Sequence, residues 1–245
     1  MFRYAHDTGL IGETPEGAVD STGLENAHVS RYYVRRGGAK RLRYTRYPKL
    51  TVVCETGSYL WSGITASEGP TNDHREFAAT VIQAARHVRL DRLLGDAGYD
   101  SEEHHRLCRD DLGIRSTVFA LNPRRAGRRW PKTPYRRQMK RRSCRAGYGH
   151  RWHVESSFSA HKRILGCELR ARSDNSRRQE VLLRGLTHNL MIIRRDMLRL
   201  STEQVRPLND HMLDFGAGGR VNYSSVAMNF RMSRKAAFCW RRVSA

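Results

Sequence analysis

Hydrophobic and polar positions change period several times along the chain, and each change marks an element. Residues 17–22, GAVDST, form a short apolar run that ends at a carboxylate. Residues 48–68 read as two β-rich runs, with Thr56-Gly57-Ser58 between them predicting a hairpin. In NDHREFAATVIQAARHV the spacing turns helical: an Asn/Asp cap precedes Phe77, Val81, Ile82, Ala85 and Val88, which form a stripe to be buried. LDRLLGDAGYD is a short strand stopped by Asp96 and Gly98. SEEHHRLCRDDLG carries a Ser cap, early glutamates and a closing glycine, the marks of a helix start and stop. STVFALN returns to strand. A last helix, from about Gln179 to Leu200, places Val181, Leu182, Leu186, Leu190 and Ile193 on a stripe that can cover a sheet.

This order predicts an α/β domain with a mixed sheet flanked by helices: an antiparallel hairpin beside parallel strands joined by crossover helices. Asp96 then falls at the carboxyl edge of the sheet, where open α/β sheets place their sites. Residues 201–245 keep no sustained periodicity and end in the basic RMSRKAAFCWRR. The expected organisation is an N-terminal stub at 1–15, a catalytic domain at 16–198 and an unassigned basic tail at 199–245.

Charge sharpens the choice of partner. A net charge of +21 and a pI near 10.7 favour a polyanion, and nucleic acid before an anionic membrane. No apolar stretch approaches the roughly 20 residues needed to span a bilayer, and MFRYAHDTGLIGE lacks a signal-peptide core. A soluble cytoplasmic protein associated with the nucleoid is expected. Cys54, Cys108, Cys144, Cys167 and Cys239 are scattered without a C-x-x-C pair, which argues against a structural zinc site. The histidines at 104–105 and 150–153 read as solvated helix-face residues.

Between Asp111 and Glu155 there is no acidic residue, and residues 124–145 carry eleven Lys or Arg. Arg128, Arg129, Arg136 and Arg137 with Trp130 combine cations and a stacking ring, a composition suited to DNA phosphates and exposed bases. With no carboxylate to neutralise it, this stretch is expected to be poorly ordered without DNA. Next comes Tyr148, Arg151, Glu155 and Lys162, a Y-x2-R-x3-E-x6-K string at helical spacing. In it a carboxylate able to hold a metal is flanked by groups able to grip phosphate.

Phosphodiester cleavage and strand transfer need a nucleophilic and a leaving oxygen in line, which two divalent ions about 4 Å apart can stabilise. Asp20, Asp96 and Glu155 are the candidate ligands, with Asp7 and Asp73 as substitutes for Asp20. Taken singly, Asp20 also reads as a turn residue, Asp96 as a cap, and Glu155 as half of an ion pair with Arg151 or His161.

VDSTGLENAHVSRYYVRR, LLGDAGYDSEE, the Y-x2-R-x3-E-x6-K string and LRGLTHNLMIIRR, in this order over roughly residues 16–198, resemble the DDE-type transposases of insertion sequences with the YREK signature. The resemblance implies a ribonuclease-H-like fold and a pair of Mg2+ or Mn2+ ions. It also implies cleavage at element ends, followed by attack of the freed 3' hydroxyl on target DNA. By position Asp20, Asp96 and Glu155 match the three acidic residues, which would be both catalytic and metal-binding. Tyr148, Arg151 and Lys162 match the phosphate-gripping part of the signature. A homodimer on DNA is implied as well. Only nineteen residues precede Asp20, so an N-terminally truncated chain is expected: the second half of a split reading frame with an upstream DNA-binding polypeptide, a truncated copy, or a protein relying on a partner. The alternatives are a non-catalytic DNA-binding remnant and a nuclease with the same carboxylates.

Overall fold

The computed structural model of the chain describes residues 1–27, 46–120, 131–141 and 147–205. After a short helix α1 (Phe2–Asp7), strand β1 (Glu16–Gly23) enters the middle of a sheet. The predicted hairpin forms β3 (Tyr47–Glu55) and β4 (Trp61–Gly69), antiparallel to each other, with β3 antiparallel to β1. On the other flank, β5 (Arg92–Gly95) lies parallel to β1, and β6 (Ser116–Phe119) parallel to β5. The five-stranded order is β4-β3-β1-β5-β6, a mixed sheet of the ribonuclease-H-like α/β type. A second, two-stranded sheet pairs β2 (Glu25–Asn26) with β7 (Glu168–Leu169).

Helices cover both faces. Helix α2 (His74–His87) packs with Val19, Val53, Leu93 and Phe119, while α5 (Trp152–Leu165) packs with Ala18, Val52, Leu94 and Val118. The period-two alternation of β1 therefore separates two cores. On α2 the buried residues are Phe77, Thr80, Val81 and Ala84; Ile82 and Ala85 are only half-buried, so the inward face is rotated from the predicted one. The rotation follows from Gly63 of β4, where any Cβ would lie 2.2 Å from the Thr80 carbonyl oxygen. Bare backbone there lets the helix sit directly on the strand.

Helix α3 (Glu102–Arg106) continues as one π-helical turn, Leu107–Asp111. His104 and His105 on it are buried, contrary to the solvated reading. His104 stacks on Phe77 and its Nδ1 bonds the Tyr99 carbonyl; His105 Nδ1 bonds Thr117 at 2.6 Å. Histidine here acts as a flat packing residue with one polar tip satisfied.

Helix α6 (Asp174–Val205) corrects another expectation. Of the predicted stripe only Val181 and Ile193 are buried, whereas Leu182, Leu186 and Leu190 are 38–52% exposed. Polar residues take the inward positions instead. The Asn189 side chain accepts from Trp61 N–H and donates to Trp61 C=O, both at 2.9 Å, acting as a partner for edge strand β4. His188 stacks on Trp61 at 4.0 Å, and Gly185 faces Ile64 and Trp61. Among the described residues no helix is long and apolar enough to cross a membrane.

Candidate active site

Alternation on β1 decides where Asp20 points. Ala18 belongs to the α5-side core and Val19 to the α2-side core, so Asp20 returns to the α5 face. The same holds on β5: Leu94 lies on the α5 side, and Asp96, still extended at φ −78° and ψ −178°, follows it. Val19 pairs with Gly95 across parallel strands, so Asp20 and Asp96 are lateral neighbours on adjacent strands, which lie about 4.8 Å apart. Asp96 ends its strand by accepting Gly98 N–H at 2.8 Å and opening the 3-10 turn Ala97–Tyr99.

On the opposite face of β1, Ser21 Oγ lies 2.9 Å from Thr51 Oγ1 and 3.0 Å from the Tyr99 hydroxyl. Tyr99 therefore ties the turn after Asp96 to the residue after Asp20. Sequence reasoning missed this brace, although its residues lie within the two aspartate motifs.

The signature string is not one continuous helix. Gly147, at φ +76°, starts a 3-10 turn over Tyr148–Arg151, and α5 begins only at Trp152. The side chains nonetheless gather at the aspartates. Tyr148 donates to the Gly95 carbonyl at 3.2 Å, and Lys162 donates to Thr22 Oγ1 at 2.7 Å, two residues beyond Asp20 on the same face. Arg151 reaches Asp20 Oδ2 with Nη1 at 3.5 Å and Glu155 Oε1 with Nη2 at 2.5 Å. Glu155 lies in the first turn of α5, where the helix dipole favours a carboxylate.

Among the described residues no three Asp, Glu, His or Cys side chains are gathered closely enough to hold a metal ion. The expected convergence to metal-bridging distance is thus incomplete. Arg151 stands between Asp20 and Glu155, so its charge, and not direct carboxylate contact, joins them.

Electrostatics marks the same spot. The Asp20 carboxyl is pushed up to about 6, mainly by burial and further by Asp96 and Glu155, against the Ser21 N–H and Arg151. Its ordinary value is 3.8, so the folded chain holds this proton more tightly than the unfolded one. Stability then falls as pH rises from about 4 to about 6, and the full penalty is present above that window. A shift of this size corresponds to roughly 3 kcal/mol. Asp20→Asn is accordingly expected to raise the midpoint of thermal unfolding by several degrees at neutral pH with a chelator present. A lowered midpoint would mean that Arg151 and Ser21 hold the carboxylate more strongly than burial opposes it.

A family model described as the transposase DDE domain matches residues 12–190. The chain belongs to that family. No curated protein sequence matches it. The matched span of this DDE domain covers β1 through the first half of α6, and so takes in every residue of the aspartate and Y-x2-R-x3-E-x6-K motifs.

The basic segment of the transposase domain departs from expectation. Arg128, Arg129 and Trp130 lie outside the described residues, as do 121–130 and 142–146 generally. Residues Pro134–Arg141, however, form helix α4, docked on α3 and not a disordered run. Glu102 caps its start, accepting the backbone N–H groups of Tyr135 and Arg136 at 3.0 and 3.1 Å. Arg136 binds Asp100 in bidentate fashion at 2.8 and 2.9 Å, and Asp100 is fully buried. Tyr135 donates to Asp110, and Arg109 lies 4.7 Å from the Tyr135 ring. Arg136 is therefore a structural cation and not an exposed phosphate ligand: acids upstream of the segment supply the neutralisation that the segment itself lacks. Arg137 stays exposed and donates to the carbonyls of Pro131 and Lys132.

Proposed function

We propose that the chain is the catalytic domain of a YREK-signature insertion-sequence transposase, which cuts DNA at element ends and joins the freed 3' hydroxyl to target DNA. The observation that supports this best is the lateral pair Asp20 and Asp96 on adjacent parallel strands, facing the Tyr148–Lys162 string. Asp20, Asp96 and Glu155 would hold divalent ions. Three hard oxygen donors suit Mg2+ or Mn2+, and a dication would offset the burial and the neighbouring Asp96 and Glu155 charges that raise the Asp20 carboxyl, so the donor chemistry fits the metal. Held by these carboxylates, such ions would supply Lewis-acid chemistry for activating water and for the charge on the leaving 3' oxygen.

The chain's own groups do the rest. Lys162, held at Thr22, sets a cation beside the aspartates for the scissile strand. Tyr148, bonded to the Gly95 carbonyl, keeps the turn carrying Arg151 against the strand that ends at Asp96. Arg137 on α4, with Arg128, Arg129 and Trp130, supplies cations and a ring for the flanking DNA. Two element ends must be held together for transposition, which favours a homodimer on DNA.

A strand-transfer assay tests the reading: the chain, a labelled oligonucleotide bearing the element's own end with a free 3' hydroxyl, and supercoiled target plasmid, with Mg2+ or with chelator. Metal-dependent joining of label to plasmid is expected. Metal-dependent nicking without joining would make the protein a nuclease, and DNA binding without either would make it a non-catalytic binder.

A further inference from the structure

Arg151 combines two positions that conflict once a metal is considered. Its guanidinium bridges Asp20 on β1 and Glu155 on α5, two of the three carboxylates assigned above to divalent ions. A carboxylate oxygen turned to a guanidinium N–H at 2.5 Å is not free to ligate a dication from the same side, and two cations at that spacing repel. The Glu155 limb of the bridge is open to solvent, while the Asp20 limb is the longer one at 3.5 Å and Tyr148 flanks the guanidinium. Glu155 is 54% and Arg151 24% exposed, and the residue sits on a 3-10 turn bounded by Gly147 and containing Gly149. An ion pair this exposed contributes little net stability, so the guanidinium can leave it at small cost. Phosphate is the other partner that matches the planar fork of arginine.

We propose that Arg151 is a displaceable internal counter-ion that couples metal loading to DNA arrival: the guanidinium gives up Asp20 and Glu155 to a divalent cation as it moves to a backbone phosphate. This inference rests on the metal-site reading above. It makes DNA and metal mutual effectors, because a ligand that draws Arg151 away frees the carboxylates, and a cation that occupies the carboxylates frees Arg151 for phosphate. Cleavage chemistry is thereby restrained until a substrate phosphate is in place.

Mn2+ binding to the full chain, followed by electron paramagnetic resonance of the free ion with and without a short duplex oligonucleotide, tests this without reference to activity. The variants are Arg151→Ala and Arg151→Met, the second keeping the aliphatic stem. Both are expected to bind Mn2+ about tenfold more tightly than wild type in the absence of DNA. The tightening that DNA brings to the wild type should shrink in both by the same factor, since the coupling is reciprocal. Unchanged or weaker Mn2+ affinity in both variants, with Glu155→Gln losing affinity, overturns the counter-ion role and leaves the metal site standing. If Glu155→Gln binds Mn2+ as the wild type does, the carboxylate assignment itself falls, and the inference with it.

Discussion

Glu155→Gln should abolish divalent-metal-dependent nicking while leaving the fold and DNA affinity nearly unchanged. The amide keeps the size of the side chain and one oxygen but loses the charge that holds a dication. Removing transition-state stabilisation of several kcal/mol lowers the rate by about three orders of magnitude. The fold is spared because the side chain is 54% exposed and its contact is an ion pair one helical turn away. Such pairs are worth about 0–1 kcal/mol. DNA affinity is spared because the cations remain, and in this variant Arg151 loses a competing carboxylate and becomes more available to phosphate. The measurement is single-turnover nicking in Mg2+ beside a binding titration at the same salt concentration. Nicking at the wild-type rate would remove Glu155 from the site, and a parallel loss of affinity would make it a DNA-positioning residue.

The hairpin, the short strands before Asp20 and Asp96 and the position of Asp96 at the carboxyl edge of the sheet were legible because they depend on local signals: a period of two, a turn tripeptide, an acid after a short apolar run. The two-residue strands β2 and β7 carry no such signal. The lateral pairing of Asp20 with Asp96 follows from the same alternation once β1 and β5 are placed side by side. Whatever depended on which partner a polar group meets was not legible. His104 and His105 look like surface residues until Phe77 and Thr117 are brought against them. Leu182, Leu186 and Leu190 look like core until Asn189 takes the inward position to bond the edge strand at Trp61. Periodicity ranks positions by hydrophobicity, and on α6 a specific hydrogen-bonding need outranked it. At the site, spacing brought Arg151 within reach of Glu155, but only the fold reveals that the same guanidinium also faces Asp20.

Arg136 shows most sharply how context reassigns a charge, and two neighbouring substitutions separate its role from that of an ordinary DNA-facing cation. Arg136→Ala removes both bonds to the fully buried Asp100. Breaking a buried pair from one side costs about 3–5 kcal/mol, because the remaining charge loses its partner in a medium that solvates it poorly. Asp100 keeps other polar partners, so the lower end, about 3 kcal/mol, is expected. The loss should appear as a lower midpoint in urea, and α4 should loosen from α3, because Asp100 is one of three acids that hold it, with Glu102 and Asp110. Arg137→Ala, one residue along on an exposed position, should change stability by no more than about 0.5 kcal/mol. It should instead flatten the salt dependence of DNA affinity, by up to about 0.9 log units if its side chain neutralises a single phosphate. The reverse pattern, with Arg136→Ala stable but less salt-sensitive, would return Arg136 to the DNA surface and leave Asp100 held by its remaining partners alone.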